Sequence, residues 1–206
     1  MKTLAVVSLK GGTGKSTLAA HLAINAERAG ETVALIDLDA QGSLADWFNV
    51  REAETPAYAL TSLDKLPETL EAVAAAGITL ALVDCPAVDK RALRAALASC
   101  DAALMPVRPS PNDLRAVPYT VEEIDATGKP FAFVLSQRIA RTRIGDEALI
   151  ALANLTDRGK VAGIVNMRTP YATAMTDGRT ALEIDPGGPA TDEINAVWKR
   201  TRELLQ

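Results

Sequence analysis

The chain has 206 residues, 48% of them hydrophobic and 23% charged, with a formal net charge of -4. That size suits one domain around one sizeable core, and the balance excludes both a disordered and a fibrous chain. The acidic excess excludes a chain-wide basic field for nucleic acid, the two cysteines make no disulfide framework, and the single His21 argues against a Ser-His-Asp hydrolase or a His-rich metal centre.

Short β-branched runs alternate with longer helical periods along the chain. Residues 4–9 read as a strand that breaks at Gly11-Gly12, and 16–29 as an Ala/Leu-rich helix closed by Gly30. Residues 32–38 form a second, almost wholly apolar strand, 43–50 a short helix, and 51–66 an irregular surface loop. A helix over 67–76 ends at Gly77, an apolar strand covers 78–83, a helix 90–99 and a strand 102–107. The helix over 112–127 contains Pro118, which should kink it or delay its start. A strand over 131–135, a helix over 146–157 and a strand over 161–165 precede a last helix over 191–205, with Ile194, Val197, Trp198 and Leu205 along one side. Apolar strands alternating with helices predict a single α/β domain, residues 1–206: a mostly parallel twisted sheet of seven or eight strands with helices on both faces. No apolar run reaches the ~18 residues of a membrane span, and no signal peptide is recognisable. The cytoplasm is the expected compartment.

The most informative segment is Leu9-Lys10-Gly11-Gly12-Thr13-Gly14-Lys15-Ser16-Thr17, placed between the first strand and the first helix. Glycines let successive backbone N–H groups converge on phosphate oxygens, and the helix N-terminus adds its dipole. In such a P-loop Lys15 reaches the β- and γ-phosphates and the Ser16 hydroxyl ligates Mg²⁺. Two further elements carry carboxylates. Asp37 and Asp39 end the second strand one residue apart, within Asp37-Leu38-Asp39-Ala40-Gln41-Gly42, at the sheet edge where ligands bind. The third apolar run ends in Asp84-Cys85-Pro86, where Asp84 is placed to hold Mg²⁺ through a water. Cys85 and Cys100 read as small buried residues.

The loop departs from G-x-x-x-x-G-K-[ST], having Leu9 and Lys10 at its start. The form K-G-G-x-G-K-[ST] resembles the deviant Walker A motif of the ParA/MinD family of ATPases. The Asp39-Ala40-Gln41-Gly42 element resembles that family's D-x-D-P-Q-G, with Ala40 for proline, and Asp84-Cys85-Pro86 its D-x-P. Ser110-Pro111-Asn112-Asp113-Leu114 resembles the S-P-x-D segment of compact partition ATPases, and Arg168, Tyr171, Asp177-Gly178 and Glu183 fall in a late pattern of the same group. The resemblance implies ATP and Mg²⁺ as ligands. It implies a nucleotide-sandwich homodimer in which Lys10 crosses to the partner's phosphates, Asp37 supports the Mg²⁺ shell and Asp39 orients the attacking water. It also implies a domain without a preceding helix-turn-helix.

Charge divides unevenly: residues 1–130 carry 12 Lys/Arg against 17 Asp/Glu, and residues 131–206 carry 10 against 9. By resemblance, ATP-bound dimers bind nonspecific DNA through C-terminal basic residues, here Arg168, Arg179, Lys199, Arg200 and Arg202. The function expected is a partition ATPase for a plasmid or chromosome, nucleoid-associated, released when a ParB-type or other cargo-bound partner stimulates hydrolysis. A MinD-like membrane-cycling or protein-cluster-positioning ATPase and a metabolic P-loop enzyme of the same fold are the alternatives, and no stable membrane association is expected.

Overall fold

Strands buried on both faces need helices on both faces, and that requirement shapes the whole molecule. The computed structural model describes residues 1–39, 42–87 and 90–206. The strands are β1 (Lys2–Val6), β2 (Val33–Asp37), β3 (Ala57–Leu60), β4 (Leu80–Asp84), β5 (Ala102–Val107), β6 (Phe131–Arg138) and β7 (Lys160–Asn166). The helices are α1 (Lys15–Arg28), α2 (Ser43–Asn49), α3 (Leu66–Ala75), α4 (Lys90–Ser99), α5 (Pro111–Thr127), α6 (Arg143–Ala153), α7 (Thr169–Asp177), α8 (Ala181–Ile184) and α9 (Pro189–Leu204). The sheet has seven strands in the order β3-β2-β4-β1-β5-β6-β7, every pairing parallel.

Side chains alternate across the sheet into two cores. Leu4, Val6, Leu80 and Leu82 join Leu22, Ile194 and Trp198 on the side of α1 and α9, whereas Ala5, Ala81, Val83 and Met105 join Leu70, Leu97 and Ile124 on the other. β1 lies between β4 and β5, so the strand order reverses direction beside it. In open parallel sheets the crevice at the C-terminal ends of the strands at such a point is the ligand site.

Four sequence expectations are corrected. The supposed loop 51–66 contains β3, a four-residue edge strand that pairs Ala57–Leu60 with residues 34–37 of β2. It is half-exposed, so it lacks the continuous apolar run of its neighbours. α5 starts at Pro111 and passes through Pro118. Ser110 caps it by accepting from the Asp113 N–H at 3.1 Å, and Pro118 stands on an exposed position where a lost backbone bond can be hydrated. α6 begins three residues early, at Arg143, because Thr142 is still extended and serves as its N-cap. The stretch between β7 and α9 holds two helices, α7 and α8, of which the sequence showed only scattered residues.

Gly178 closes α7 with φ 74°, and a Cβ there would meet the Arg51 Cα at 2.4 Å. The close approach lets Arg51, its side chain only 5% exposed, donate to the Gly178 carbonyl at 2.7 Å and pair with Glu183 at 2.8 Å. On α1, His21 is fully buried and shares a 2.7 Å hydrogen bond between Nδ1 and the Thr17 carbonyl. Its Nε2 accepts the Ala181 N–H at 3.0 Å, which makes Nδ1 the protonated nitrogen and ties α1 to α8.

Burial pushes His21 down from 6.5 to about 4. An unfolded chain therefore takes up a proton on this ring at higher pH than the folded one. The ring's contribution to stability is whole above pH 6.5 and falls away as pH drops towards 4. Urea unfolding should show wild type losing about 2 kcal/mol between pH 8 and pH 5 that the His21→Gln variant does not lose. Equal losses in the two chains would contradict this account of the ring.

Candidate functional site

The turn between β1 and α1 is held in shape from outside. Gly12 and Gly14 have φ of 71° and 90°, conformations that side chains resist. The Gly12 carbonyl accepts from Gln137 Nε2 at 2.7 Å and the Thr13 carbonyl accepts from Ser136 Oγ at 2.8 Å. The end of β6 thus holds two of the loop's carbonyls from outside the cleft. Gln137 itself has φ 52°, a strained conformation outside glycine, at the point where its amide reaches the loop. Gly14 caps α1 without a side chain, so the first helical N–H groups stay unpaired by any cap.

Gly11, Gly12, Gly14, Lys15, Ser16 and Thr17 line a cleft of about 590 Å³, as do Asp39 and Ser43. Lys15 is buried at its inner end, whereas Lys10 is exposed and its N–H donates to Ser8 Oγ at 3.2 Å. The Thr13 side chain is buried beneath the loop rather than in the cleft.

Asp37 and Asp84 are register partners at the ends of β2 and β4, both fully buried. They differ in what holds them. Asp37 accepts the Asp39 N–H at 2.8 Å and the Tyr58 hydroxyl at 3.1 Å, so it braces the turn that presents Asp39. Burial still pushes its carboxyl above the usual range, and those two bonds oppose the shift. Among the described residues neither Asp84 oxygen has a hydrogen-bond partner. Burial pushes it up to about 7, against the pull of the Ser16 hydroxyl and the Lys15 ammonium. A buried, unpartnered carboxylate facing a hydroxyl is a hard-oxygen donor set, and it fits Mg²⁺. Ala40 and Gln41 lie outside the described residues.

A second cavity, about 270 Å³, adjoins the first at Gly14, Thr17, Gln137 and Met175. Its walls are apolar, from Leu18, Val134, Val165, Met175 and Ile194, with Asn166, Arg168 and Tyr171 among its polar lining. An apolar slot beside a phosphate loop has the character of a nucleobase site. No short motif marks it, because its lining is drawn a few residues at a time from α1, β6, β7, α7 and α9. Cys85 and Cys100 are buried, and burial pushes both thiols up, Cys100 to about 12.

The basic residues expected to meet DNA are dispersed in their engagements. Arg168 pairs with Glu193, Arg179 with Asp177 and Arg200 with Glu203, each at 2.6–2.8 Å. Lys199 and Arg202 are exposed on α9 with Arg200, while Arg168 and Arg179 flank the two ends of α7.

Residues 4–181 match the family model described as the CobQ/CobB/MinD/ParA nucleotide binding domain. The chain belongs to this family. The maintenance of carboxysome distribution protein A of Halothiobacillus neapolitanus is 32% identical, covering 95% of this chain and 94% of that protein. The protein of the same name from Gloeobacter kilaueensis is 35% identical, covering 99% and 94%. The septum site-determining protein MinD from Pyrococcus horikoshii, solved with Mg-ADP, has the same fold, with a TM-score of 0.80 at 18% identity over 98% and 96% of the two chains.

Asp84 is costly to the folded state as it stands. Asp84→Asn should raise thermal stability in metal-free buffer, by about 1–2 kcal/mol, since the charge is no longer buried unpaired. The same variant should lose Mg²⁺-dependent nucleotide affinity. A variant less stable than wild type, with unchanged Mg²⁺ dependence, would remove Asp84 from the metal site.

Proposed function

We propose that the chain is a positioning ATPase: it binds ATP with Mg²⁺, closes into a homodimer, and separates on hydrolysis. The observation that carries the nucleotide reading is the pair of unpartnered Asp84 oxygens buried beside Lys15 and Ser16 at the head of α1. The positioning role draws on the relatives that match nearly the whole chain, both named for carboxysome distribution. A large protein assembly is therefore the cargo we favour over a plasmid, with an adaptor on that cargo as the partner that stimulates hydrolysis.

Each residue has a part in this reading. Gly11 to Gly14 present N–H groups to the phosphates, Lys15 binds the β- and γ-phosphates, and Ser16, with Asp84 and the Asp37 behind it, provides the metal's oxygen environment. Mg²⁺ bound there supplies positive charge against the developing negative charge on the phosphates. Asp39, its N–H fixed by Asp37, orients the attacking water. Lys10, exposed on the outer turn of the loop, crosses to the phosphates held by the other subunit. Closing two chains face to face sets two copies of α9 on one particle. Lys199, Arg200 and Arg202 then form the centre of a phosphate-binding surface, with Arg179 as an auxiliary; Arg200 and Arg179 must leave their acidic partners, whereas Arg168 stays with Glu193. The apolar side of α9, with Ile194, Val197 and Trp198, is packed against the sheet and not offered to a bilayer, which favours DNA over a membrane as the surface visited.

Light scattering with ATP and Mg²⁺ separates the parts. Asp39→Ala should accumulate a lasting dimer with hydrolysis reduced at least tenfold, about 1.4 kcal/mol or more of barrier. Lys10→Ala should bind nucleotide as a monomer. ATP-bound wild type should retain random-sequence DNA, and Lys199→Glu with Arg202→Glu should not. A persistent ATP dimer of Lys10→Ala would refute the crossing role. Pelleting with anionic vesicles, without DNA retention, would move the function to a membrane-cycling ATPase.

A further inference from the structure

Glu193 sits in the second turn of α9, its side chain 12% exposed, and belongs to neither the phosphate loop nor the metal carboxylates. It nevertheless gathers one wall of the apolar cavity. Its Oε2 accepts the Asn166 N–H at 3.1 Å and the Tyr171 hydroxyl at 3.1 Å. Its Oε1 accepts from Asn166 Nδ2 at 2.5 Å and from Arg168 Nε at 2.8 Å. All three donors line the cavity, and Glu193 does not. Tyr171 is doubly held, since its hydroxyl also reaches the Ala190 carbonyl at 2.9 Å.

One carboxylate therefore accepts four of the bonds that fix the β7–α7 region to α9. The arrangement also engages both ends of the Asn166 side-chain amide. Its Nδ2 is turned to Glu193 and its Oδ1 accepts from Arg138 at 3.4 Å, so the amide has a defined orientation at the cavity rim. An amide whose oxygen and nitrogen are assigned can tell one nucleobase edge from another; one that flips cannot. Charge-assisted bonds of this kind are the strong ones, and four converge here.

We propose that Glu193 is a positioning residue for the base pocket: it sets the orientation of Asn166, Arg168 and Tyr171 and thereby the affinity and base selectivity for nucleoside triphosphate. This rests on the nucleotide reading above. Its mark is a loss confined to ground-state binding of the base, because the phosphate loop, Asp39 and Asp84 lie outside the network. Glu193→Gln keeps the shape but puts an N–H₂ where an acceptor stood, against the Asn166 N–H or Arg168. Tyr171→Phe removes one arm of the network and keeps the ring.

The test measures the affinity of ATP, GTP and CTP by titration, ATP turnover at saturation, and thermal melting, in wild type, Glu193→Gln, Glu193→Ala and Tyr171→Phe. Glu193→Gln should weaken ATP about tenfold and narrow the ATP:GTP and ATP:CTP ratios, with turnover at saturation within about twofold of wild type. Glu193→Ala should do so more strongly, and Tyr171→Phe more weakly, preserving the order even where the alanine variant fails to fold. Unchanged base ratios in Glu193→Gln and Tyr171→Phe, whatever the change in melting, would overturn the positioning role and leave the nucleotide reading intact. Wild type that binds none of the three would overturn both.

Discussion

A carboxylate taken out of water without a partner is among the most expensive things a folded chain can hold, and here it lies at the centre of the molecule. Asp84 ends β4 between β2 and β1, with both oxygens open and its proton affinity raised by burial. Nothing in the packing of the sheet requires it. An apolar residue would continue the run Leu80-Ala81-Leu82-Val83 at no cost. Its presence makes sense when the missing partner is a cation, brought with an anionic ligand to the N-terminus of α1. The folded state without ligand is thus kept under local strain that binding relieves.

The surrounding elements serve to keep that arrangement rigid. β6 ties the Gly12 and Thr13 carbonyls back through Gln137 and Ser136, so the loop is held before any ligand arrives. Asp37, bonded by Asp39 and by Tyr58 of the edge strand β3, fixes the second carboxylate turn. His21 links α1 to α8, and Arg51 links the α2–β3 connection to the end of α7. Preorganisation of this sort places the cost of ordering in folding rather than in binding. It also means that a change far from the cleft, at Gly178 or His21, acts on the same body that carries the phosphate loop.

The sequence was most legible where one short segment does the whole task. The glycine turn that runs into Lys15 and Ser16, and the Asp84 that ends an apolar strand, are both local patterns. α4 and β5 likewise fall on the residues expected, because their apolar spacing is unbroken. β3 was hidden because an edge strand half in solvent carries little periodicity, yet its Tyr58 reaches Asp37. Pro118 misled because a proline's cost depends on whether the lost bond faces water, which spacing does not reveal. The apolar cavity and Glu193 were out of reach for a different reason. Glu193 meets Arg168 and Asn166 across 25 and 27 positions of chain, and only the fold brings α9 to the end of β7.

The account turns on one coupling: the cleft is built for a nucleotide and a divalent cation together, since each supplies the charge the other's site lacks. Calorimetric titration of ATP into the wild-type chain, with Mg²⁺ and again with Mg²⁺ removed by chelation, measures that coupling directly. The account predicts binding that is at least about tenfold tighter with the metal, 1.4 kcal/mol or more of coupling. ATP affinity indifferent to Mg²⁺ would contradict it.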